Sequence, residues 1–455
     1  MKASLRIAAF LAAQGAIFML CRGATAPKLT TLTSFAGTKT GAFPESGLTQ
    51  GNKGVLYGTT YTGGPSGWGV LYQLIPPTPP ATAWTESVLY KFTGGADGAG
   101  PIGSLVANSN SVLYGATEQG GAFGYGAVYS LTPQGGGVWN QTVLYSFGAQ
   151  AGDGANPQAG LLLETASGVL YGTTVAGGAS GFGTVFALTP PASKGALWTE
   201  SPIYSFAGAP SGCGTSPACD GASPQAALTF GSNNGILYGT TYAGGPAGWG
   251  TVFQLTKSGS TWSEGVLYNF TGSPPSCGTT GNPACDGGAP AGSVVPGPNG
   301  VLYGTTSFGG NAACSVGGYK EGCGTVFQLT PPVPPATNWT ETALYIFKGA
   351  PKDGAHPTQN LVLGANGSLT GTTLSGGSNA TVCFPASYEG CGIIYALKPP
   401  ATSGAWTKNT LAVFNGDNGG GPNGLFSPTS GVFYGTTYDG GLHGGYGTTF
   451  QLKFQ

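Results

Sequence analysis

From residue 29 onward, the chain alternates short runs of aliphatic, β-branched and aromatic residues with segments rich in Gly, Pro and Asn. One period holds four such runs, at residues 157–163 (PQAGLLL), 168–174 (GVLYGTT), 183–189 (GTVFALT) and 198–206 (WTESPIYSF). Short β-prone runs bounded by turn-forming residues are typical of strands, and no helical periodicity follows the first 26 residues. The pattern predicts a repeated unit of four antiparallel strands.

The phrase Leu-Tyr-Gly-Thr-Thr marks the second run of each period. It begins at Leu56, Leu113 (LYGAT), Leu170, Leu237, Leu302, Leu369 (LTGTT) and Phe433 (FYGTT). The intervals are 57, 57, 67, 65, 67 and 64 residues, which indicates one supersecondary unit repeated along the chain. Seven units of four antiparallel strands predict an all-β protein, a seven-bladed β-propeller.

The two ends of the chain complement each other. Residues 29–35 (LTTLTSF) are similar to the fourth run of a period, whereas residues 447–452 (GTTFQL) match a third run, so the last unit lacks its fourth strand. Pairing the N-terminal strand with the last unit would close the ring and remove its exposed sheet edges. A β-solenoid is the alternative architecture, but its repeats are usually shorter and it needs no such exchange of ends.

The repeat resembles two known families. The order LYGTT, Gly-Gly, GTVFQLT and a downstream Trp is similar to kelch repeats, although the period exceeds the kelch value of about 50 residues. The fuller pattern LYGTT-x-x-GG-x-x-G-x-GTVF-x-LTP, then LYSF and DGA-x-P, resembles the tandem-repeat family named GloVer over nearly all of residues 29–455. This resemblance implies an exported bacterial protein with a variable C-terminal anchor and no particular reaction. Here the chain ends about where its last strand is expected, so we expect no such anchor.

The N-terminus has the features of a secretory signal peptide. Basic residues precede a mostly apolar stretch at residues 7–20, and residues 24–26 (ATA) form a small-residue cleavage site, with cleavage after Gly23 as the alternative. We expect a signal peptide at residues 1–26 and one propeller domain at residues 27–455, secreted or periplasmic. No other stretch is long and apolar enough to span a membrane.

The charge of the chain limits its partners. Only 7% of the residues are charged, against a usual share of about 25%. Loss of the signal peptide removes Lys2, Arg6 and Arg22 from 15 basic residues and leaves 12, all Lys, against 16 acidic residues, a net charge of −4. Because duplex binding needs a basic surface and phosphate capture favours Arg, this composition argues against nucleic acid as a partner.

Eight Cys remain after the signal peptide and form four pairs close in sequence: Cys213/Cys219, Cys277/Cys285, Cys314/Cys323 and Cys383/Cys391. An even number in an exported chain indicates disulfide bonds, and we expect local pairing. Zinc is the alternative, but the spacings vary and no His lies near any pair in sequence, so we expect no metal or other cofactor. All four pairs fall in loops between strands four and one or between strands two and three, which share one face.

The same loop face carries the candidate ligand-binding residues. After strand two, an aromatic residue lies between two glycines in five units: Trp68, Tyr125, Phe182, Trp249 and Tyr446. Cys323 and Cys391 take this position in the other two units, which favours a structural role in holding the loop down. A ring of platforms for stacking on sugars is the alternative. Five further aromatic residues precede that position and would add to the surface: Tyr61, Phe123, Tyr242, Phe308 and Tyr438.

The repeated polar phrases favour structural roles. Asp-Gly steps recur after strand four, at Asp97, Asp153, Asp220, Asp286 and Asp353. They are typical of tight turns, with a ring of carboxylates for cations or sugar hydroxyls as the alternative. The Trp of a recurring Trp-x-Glu phrase is expected to pack between blades, and the Gly of LYGTT to allow close packing within a strand.

Catalytic signals are weak. Neither His356 nor His443 belongs to a recognisable triad or metal-ligand pattern. Four carboxylates lie in or near the loops between strands two and three, and any two of them would have to meet for glycoside chemistry: Glu118, Glu321, Glu389 and Asp439. The catalytic residues, if any, are therefore unassigned.

The sequence favours an exported, non-catalytic, monomeric propeller that binds a glycan or another surface component, such as a surface protein, through the disulfide-linked loop face. One alternative is a carbohydrate-active enzyme, a hydrolase or lyase, that uses two loop carboxylates. The other is a structural or protein-docking module.

Overall fold

The computed structural model describes residues 26–193, 195–208, 220–272, 285–310, 314–316, 319–378, 383 and 390–454. Within this part of the chain, the strands form seven four-stranded antiparallel sheets, which are the blades of a β-propeller. We number the blades along the chain, and the strands of each blade from 1 at the central axis to 4 at the rim. The predicted seven-bladed β-propeller is confirmed.

The blades repeat one order of strands. Blade 1 comprises Thr49–Gln50, Leu56–Thr60, Val70–Ile75 and Thr85–Lys91; blade 2 Ala99–Ala107, Leu113–Gln119, Ala127–Gly135 and Val138–Ser146; blade 3 Leu162–Leu163, Leu170–Thr174, Thr184–Thr189 and Thr199–Ser205. Blade 4 comprises Thr229–Phe230, Ile236–Thr241, Thr251–Ser258 and Thr261–Asn269; blade 5 Val295–Pro296, Leu302–Thr306, Thr325–Thr330 and Thr340–Ile346; blade 6 Val362–Leu363, Leu369–Thr373, Ile393–Lys398 and Thr407–Val413.

Blade 7 joins the two ends of the chain. It comprises Gly420–Thr429, Val432–Asp439 and Thr448–Lys453, with Lys28–Ser34 as strand 4. Lys28 lies opposite Lys453 and Ser34 lies opposite Thr448. The N-terminal strand therefore completes the last blade, as predicted from the two ends of the sequence.

The remaining elements are short. Two-stranded pairs join Gly154–Ala155 to Ala176–Gly177, Gly354–Ala355 to Ser375–Gly376, and Ser315–Val316 to Tyr319–Lys320, and single 3₁₀ turns occur at Asn52–Gly54 and Pro298–Gly300. In the described part of the chain, no helix has the length and apolar character needed to cross a membrane.

The glycine of LYGTT lets an aromatic ring of strand 3 lie across strand 2. Gly172 is paired with Phe186 on the neighbouring strand. Phe186 is buried, and so are Tyr171 and Thr173 on either side of Gly172. A Cβ added at Gly172 would lie 2.5 Å from Cζ of Phe186. The same relation holds between Gly58 and the Tyr72 ring, where the Cβ would lie 2.4 Å from the hydroxyl oxygen. The predicted close packing at this glycine is confirmed.

The two threonines of LYGTT use their hydroxyl groups for the fold. In blade 3, Oγ1 of Thr173 donates to the carbonyl of Ala226 in the next blade at 3.2 Å. Oγ1 of Thr174 donates to the carbonyl of Ala176 at 2.9 Å and accepts from the backbone N–H of Thr184 at 3.2 Å. Both threonines are buried. One therefore ties neighbouring blades together, and the other fixes the loop that follows.

The tyrosine of LYGTT packs against the Trp of the following blade. The rings meet edge to face with centroids 5.8–6.2 Å apart in five pairs: Tyr57 with Trp139, Tyr114 with Trp198, Tyr171 with Trp262, Tyr303 with Trp406, and Tyr434 with Trp84. Trp339 and Tyr238, which have the corresponding positions in blades 5 and 4, belong to one apolar cluster. The prediction that the Trp packs between blades is confirmed.

The junction of blades 6 and 7 departs from this rule. Thr370 stands where the other blades have the Tyr, and the strand register of blade 7 puts Pro27 at the position of the Trp. Leu29 takes the position of the Glu in Trp-x-Glu, and it packs in an apolar cluster with Phe433 and Leu452. This junction therefore lacks both members of the Tyr–Trp pair.

Replacing Gly172 by Ala tests the close approach in strand 2. We expect Gly172→Ala to lower the free energy of unfolding by about 1–3 kcal/mol, because the new methyl group must displace the ring of Phe186. Thermal unfolding followed by circular dichroism gives the comparison. Gly265→Ala is the matched control, since that exposed strand glycine has no heavy atom within 4 Å of an added Cβ. Equal unfolding midpoints for the two variants would contradict the argument.

Candidate functional site

A cavity of about 490 Å³ lies on the central axis and opens toward the loop face. Its wall comes from the strand 1 segments, and its outer end is bordered by residues that follow LYGTT or precede strand 1. We call this outer end the channel mouth. Five of its residues line the cavity: Glu45, Gln158, Tyr242, Phe308 and His356. We include Glu118, which is hydrogen-bonded to Gln158, and Tyr61, which is hydrogen-bonded to Glu118.

The polar side of the channel mouth is formed by blades 1 to 3. The carboxylate of Glu118 accepts hydrogen bonds from the Tyr61 hydroxyl and, at 2.7 Å, from Nε2 of Gln158. Nδ2 of Asn156 donates to the Glu118 carbonyl at 3.1 Å. Burial, and then the charge of Glu118, raises the pKa of Glu45 to about 7. A carboxyl group whose pKa lies near neutrality is therefore close to a hydrogen-bonded carboxylate.

The aromatic side of the channel mouth is formed by blades 4 to 6. The Phe308 ring packs edge to face on His356, with centroids 5.6 Å apart, and Tyr242 lines the same cavity. Nδ1 of His356 lies 2.9 Å from Oγ of Ser375, and burial lowers the His356 pKa to about 4, so the ring is neutral at neutral pH. Burial first, and then the charge of Glu321, raises the Tyr242 pKa, so Glu321 lies near this side.

The channel mouth uses positions that change from blade to blade. Directly after LYGTT the chain has Tyr61, Glu118, Val175, Tyr242, Ser307, Leu374 and Tyr438. Directly after the Pro that lies in or just before strand 1 it has Glu45, Ile102, Gln158, Gln225, Ala291, Thr358 and Asn423. Sequence reasoning missed Glu45 and Gln158. The available signal was this variation inside an otherwise regular repeat.

The aromatic residues between two glycines lie farther from the axis and pack on glycine. A Cβ added at Gly94 would lie 2.4 Å from Nε1 of Trp68, and one added at Gly272 would lie 2.2 Å from Nε1 of Trp249. At the corresponding point of blade 5, a Cβ added at Gly349 would lie 2.7 Å from Sγ of Cys314. This packing accords with the predicted role in holding the loop down.

Backbone hydrogen bonds confirm that the cysteines take the aromatic position. The carbonyls of Trp68, Tyr125, Phe182, Trp249, Tyr446, Cys323 and Cys391 each accept from the residue that precedes the Pro of the next blade, at 2.8–3.1 Å. The position therefore has one backbone role in all seven blades, whether it carries a ring or a disulfide.

The ten predicted ligand-binding residues occupy three kinds of place. Tyr61, Tyr242 and Phe308 lie at the channel mouth, and Tyr438 lines a second cavity described below. Four side chains are more than a third exposed around the loop face: Trp68 (45%), Phe123 (52%), Tyr125 (52%) and Tyr446 (37%). Phe182 and Trp249 are partly buried. The structure therefore brings three of the ten to the channel mouth and spreads the others around it.

Two of the predicted disulfides are present, Cys314–Cys323 and Cys383–Cys391. Both lie between strands 2 and 3, in blades 5 and 6, on the loop face. Cys285 is also disulfide-bonded, whereas Cys213, Cys219 and Cys277 lie outside the described residues. Disulfide bonds fit an extracellular or periplasmic protein.

The repeated Asp residues close the turns after strand 4. Each accepts a hydrogen bond from the Tyr of its own strand 4, at 2.5–3.0 Å: Asp97 from Tyr90, Asp153 from Tyr145, Asp220 from Tyr204, Asp286 from Tyr268 and Asp353 from Tyr345. Backbone N–H groups of the turn donate to the same carboxylates, as Gly148 does to Asp153 at 2.8 Å. These carboxylates are therefore engaged within the fold, which supports the turn interpretation over a carboxylate ring.

The Glu of Trp-x-Glu faces the Asp of the preceding turn. Burial, and then the Asp charge, raises the pKa to about 8 in three cases: Glu200 beside Asp153, Glu264 beside Asp220, and Glu341 beside Asp286. In blade 6 a Lys takes the position, and Nζ of Lys408 lies 2.5 Å from Oδ1 of Asp353. In blade 2 a Gln takes it, and Nε2 of Gln141 donates to the Asp97 carbonyl at 3.2 Å.

The other candidates for chemistry are dispersed. Glu389 lies outside the described residues, and His443 is exposed on a loop of blade 7. In the described ranges, no group of three or more His, Cys, Asp or Glu side chains is arranged to hold a metal ion. At the channel mouth, the structure brings the carboxyl groups of Glu45 and Glu118 near each other.

Solved structures share the fold at low identity. The extracellular domain of a one component system from B. thetaiotaomicron matches with a TM-score of 0.50 and 11% identity, over 94% of this chain and 42% of that chain. A lectin from Burkholderia pseudomallei matches with a TM-score of 0.46 and 11% identity, over 93% and 98%. A carbohydrate-active enzyme of family AA12 from Trichoderma reesei matches with a TM-score of 0.41 and 12% identity, over 95% and 98%. The first of these likenesses supports the fold alone.

The fold defines a repeat-built β-propeller, and the sequence places it in a family. The profile of the Gloeobacter/Verrucomicrobia repeat matches residues 8–219 and 211–384. The chain therefore belongs to the Gloeobacter/Verrucomicrobia repeat family, which confirms the resemblance inferred from the LYGTT phrases. Among curated proteins, none matches this sequence.

The raised pKa values of Glu200, Glu264 and Glu341 predict a stability that falls as pH rises. Between the ordinary Glu pKa of 4.5 and the folded value of about 8, the folded protein holds protons that the unfolded chain has released. The free energy of unfolding must therefore decrease with pH across this window. We expect the triple Gln variant to flatten that slope, and Gln141 shows that the position accepts Gln. Unfolding midpoints from pH 5 to 9 provide the measurement.

The exposed carboxylate of Asp417 supplies the control for this experiment, because Asp417→Asn removes a carboxylate that belongs to none of the three Glu–Asp pairs. Its slope should equal that of the unmodified protein. If the triple Gln variant also kept the slope of the unmodified protein, the pH dependence would not come from Glu200, Glu264 and Glu341.

Proposed function

We propose that this propeller is an exported, non-catalytic protein that binds a neutral saccharide at the channel mouth. The observation that carries the proposal is the cavity of about 490 Å³, which has hydrogen-bonding groups on one side and aromatic rings on the other. A pyranose has the matching character, since its hydroxyl groups need hydrogen bonds and its C–H faces pack on rings. The charged, apolar start of the chain and the disulfides support export.

The charges of the channel mouth favour a neutral ligand. Its acidic groups are Glu45 and Glu118, with Glu321 near the aromatic side, and burial keeps His356 neutral. The chain beyond residue 26 contains no Arg, the residue best suited to bidentate capture of carboxylate or phosphate. A sugar acid or sugar phosphate would meet like charge here, so a neutral glycan is the better fit.

Substitutions copied from other blades test the channel mouth. Gln158→Ala copies Ala291, and Tyr242→Val copies Val175, so both variants retain a side chain that the repeat already accepts. We expect each to weaken binding of the responsive saccharide about tenfold, as loss of one hydrogen bond or one stacking ring would. Titration calorimetry on residues 27–455, after a thermal-shift screen of neutral oligosaccharides, gives the affinities. A ligand at 100 times its dissociation constant adds about 2.7 kcal/mol of stability, enough for detection.

The outer aromatic positions provide the comparison. Trp68→Leu and Tyr125→Leu remove exposed rings and leave the channel mouth intact. Binding that is lost in these variants but kept in Gln158→Ala and Tyr242→Val would move the site to the rim. A screen without any saccharide response would end the proposal in favour of a structural or protein-docking role.

A carbohydrate-active enzyme is the second candidate, and the Glu45–Glu118 pair favours it. Hydrolysis of a glycosidic bond uses one protonated and one ionised carboxyl group, which this pair offers near neutral pH. Glu45 and Glu118 are therefore better candidates for catalytic carboxyl groups than Glu321 and Glu389.

Release of product distinguishes the enzyme from the binder. We expect Glu45→Gln and Glu118→Gln to retain most of the saccharide affinity, because Gln preserves shape and hydrogen bonding. Reducing-end and unsaturated-product assays on the responsive oligosaccharide are the measurement. Product formed by the unmodified protein and lost in both variants would establish catalysis and overturn the non-catalytic proposal.

A further inference from the structure

A second cavity, of about 590 Å³, opens on the loop face where blade 7 meets blade 1. Its lining combines two aromatic rings, two carboxylates and glycine backbone: Phe43, Tyr438, Asp417, Asp439, Gly440 and Gly445. We call it the blade 7–1 pocket. It is separate from the axial cavity and has a different chemistry.

The aromatic wall of the blade 7–1 pocket is held by ring contacts. Phe43 and Tyr438 stack at 5.2 Å between centroids with 27° between their planes, and Tyr446 meets Phe43 edge to face at 6.1 Å. Burial raises the Tyr438 pKa, as do the charges of Glu45 and Asp439, so this ring stays a neutral phenol in a negative surrounding. The pocket thus places aromatic rings beside carboxylates.

Phe43 occupies a backbone position that does not suit a bulky side chain. Its φ is +55°, in the left-handed region, where large residues are outliers. The equivalent residues of the other blades, each preceding the Pro of strand 1, are Gly100, Asn156, Ser223, Ala289, His356 and Gly421. All seven blades have a positive φ at this position, and blade 1 is the one that places a Phe there.

An extra residue in the blade 7 loop opens the pocket. In blade 1 the glycine bridged to the aromatic position is five residues before it, at Gly63 and Trp68. In blade 7 the same bridge joins Gly440 to Tyr446, six residues apart. Gly445 belongs to this longer loop and lines the cavity. The sequence therefore departs from the repeat where the pocket forms.

Asp417 carries a charge that the turn does not use. In the turn after blade 6, Oδ1 of Asn418 accepts from the backbone N–H of Asn415 at 2.9 Å, which is the role of Asp97 in the turn after blade 1. Asp417 corresponds to Ala96, and its exposed carboxylate faces the pocket. Asp439 adds a second, buried carboxylate at 5% exposure. The pocket therefore gathers negative charge that the repeat does not require.

We propose that the blade 7–1 pocket binds a small organic cation, an alkylated ammonium group such as a quaternary amine. Aromatic faces attract such a cation through the ring quadrupole, and neighbouring carboxylates add a longer-range attraction. Calcium fits less well, because it needs six to eight oxygen ligands and the pocket offers two carboxylates beside rings. The proposal is independent of saccharide binding, since it uses other side chains.

A pair of isosteres tests the need for charge. Choline and 3,3-dimethylbutan-1-ol have the same shape, but only choline is a cation. We expect saturable binding of choline and of tetramethylammonium to residues 27–455 by titration calorimetry or ligand-observed NMR, and at least tenfold weaker binding of the neutral alcohol. Equal affinity for choline and the alcohol, or no saturable binding of either cation, would overturn the proposal.

Substitutions taken from other blades locate the site. Phe43→Ala copies Ala289, Tyr438→Leu copies Leu374, and Asp417→Ala copies Ala96, so each places a residue that the repeat accepts. We expect each variant to bind choline about tenfold more weakly. A cooperative unfolding transition in each variant shows that the fold is retained. Glu164→Gln removes a carboxylate from the opposite face and is the control for general loss of negative charge. Unchanged choline affinity in all three variants would exclude this pocket.

Discussion

Packing of each blade against the next is the interaction on which the rest of the structure depends. A four-stranded sheet with two apolar faces is covered only by its neighbours, and the Tyr of strand 2 meets the Trp of the following blade to provide that cover. The ring must then close, because an open end would leave one face and one edge exposed. The strand Lys28–Ser34 makes that closure by completing blade 7.

This constraint explains why the repeated residues reveal so little about function. In blade 3, Gly172 makes room for a ring, Thr173 bonds to the next blade, and Thr174 fixes the loop. The repeated Asp likewise closes a turn. Since these repeated residues serve the fold, any recognition of a ligand has to use positions that vary from blade to blade. Those positions converge on the loop face around Glu45 and beside Phe43.

The sequence predicted the strands, the ring closure, the packing of Trp between blades and two of the disulfides, because each follows from local patterns or from matching ends. It did not predict the channel mouth. Glu45, Glu118 and Gln158 are separated by tens of residues and meet only when the blades are arranged around an axis. A search for repeated features also favours residues that recur, so it selected the aromatic position of Trp68 and passed over single residues such as Glu45.

The scarcity of charge makes the few carboxylates outside repeated roles informative. Only 7% of the chain is charged, and turn or junction contacts engage most of the repeated Asp and Glu residues. Glu45, Glu118, Asp417 and Asp439 stand outside those roles, and all four lie near the loop face in blades 7, 1 and 2. The two disulfides with both cysteines among the described residues lie in blades 5 and 6 of the same face, and Glu321 lies there beside Tyr242. These carboxylates and the disulfides thus share the loop face, on which the channel mouth and the blade 7–1 pocket lie.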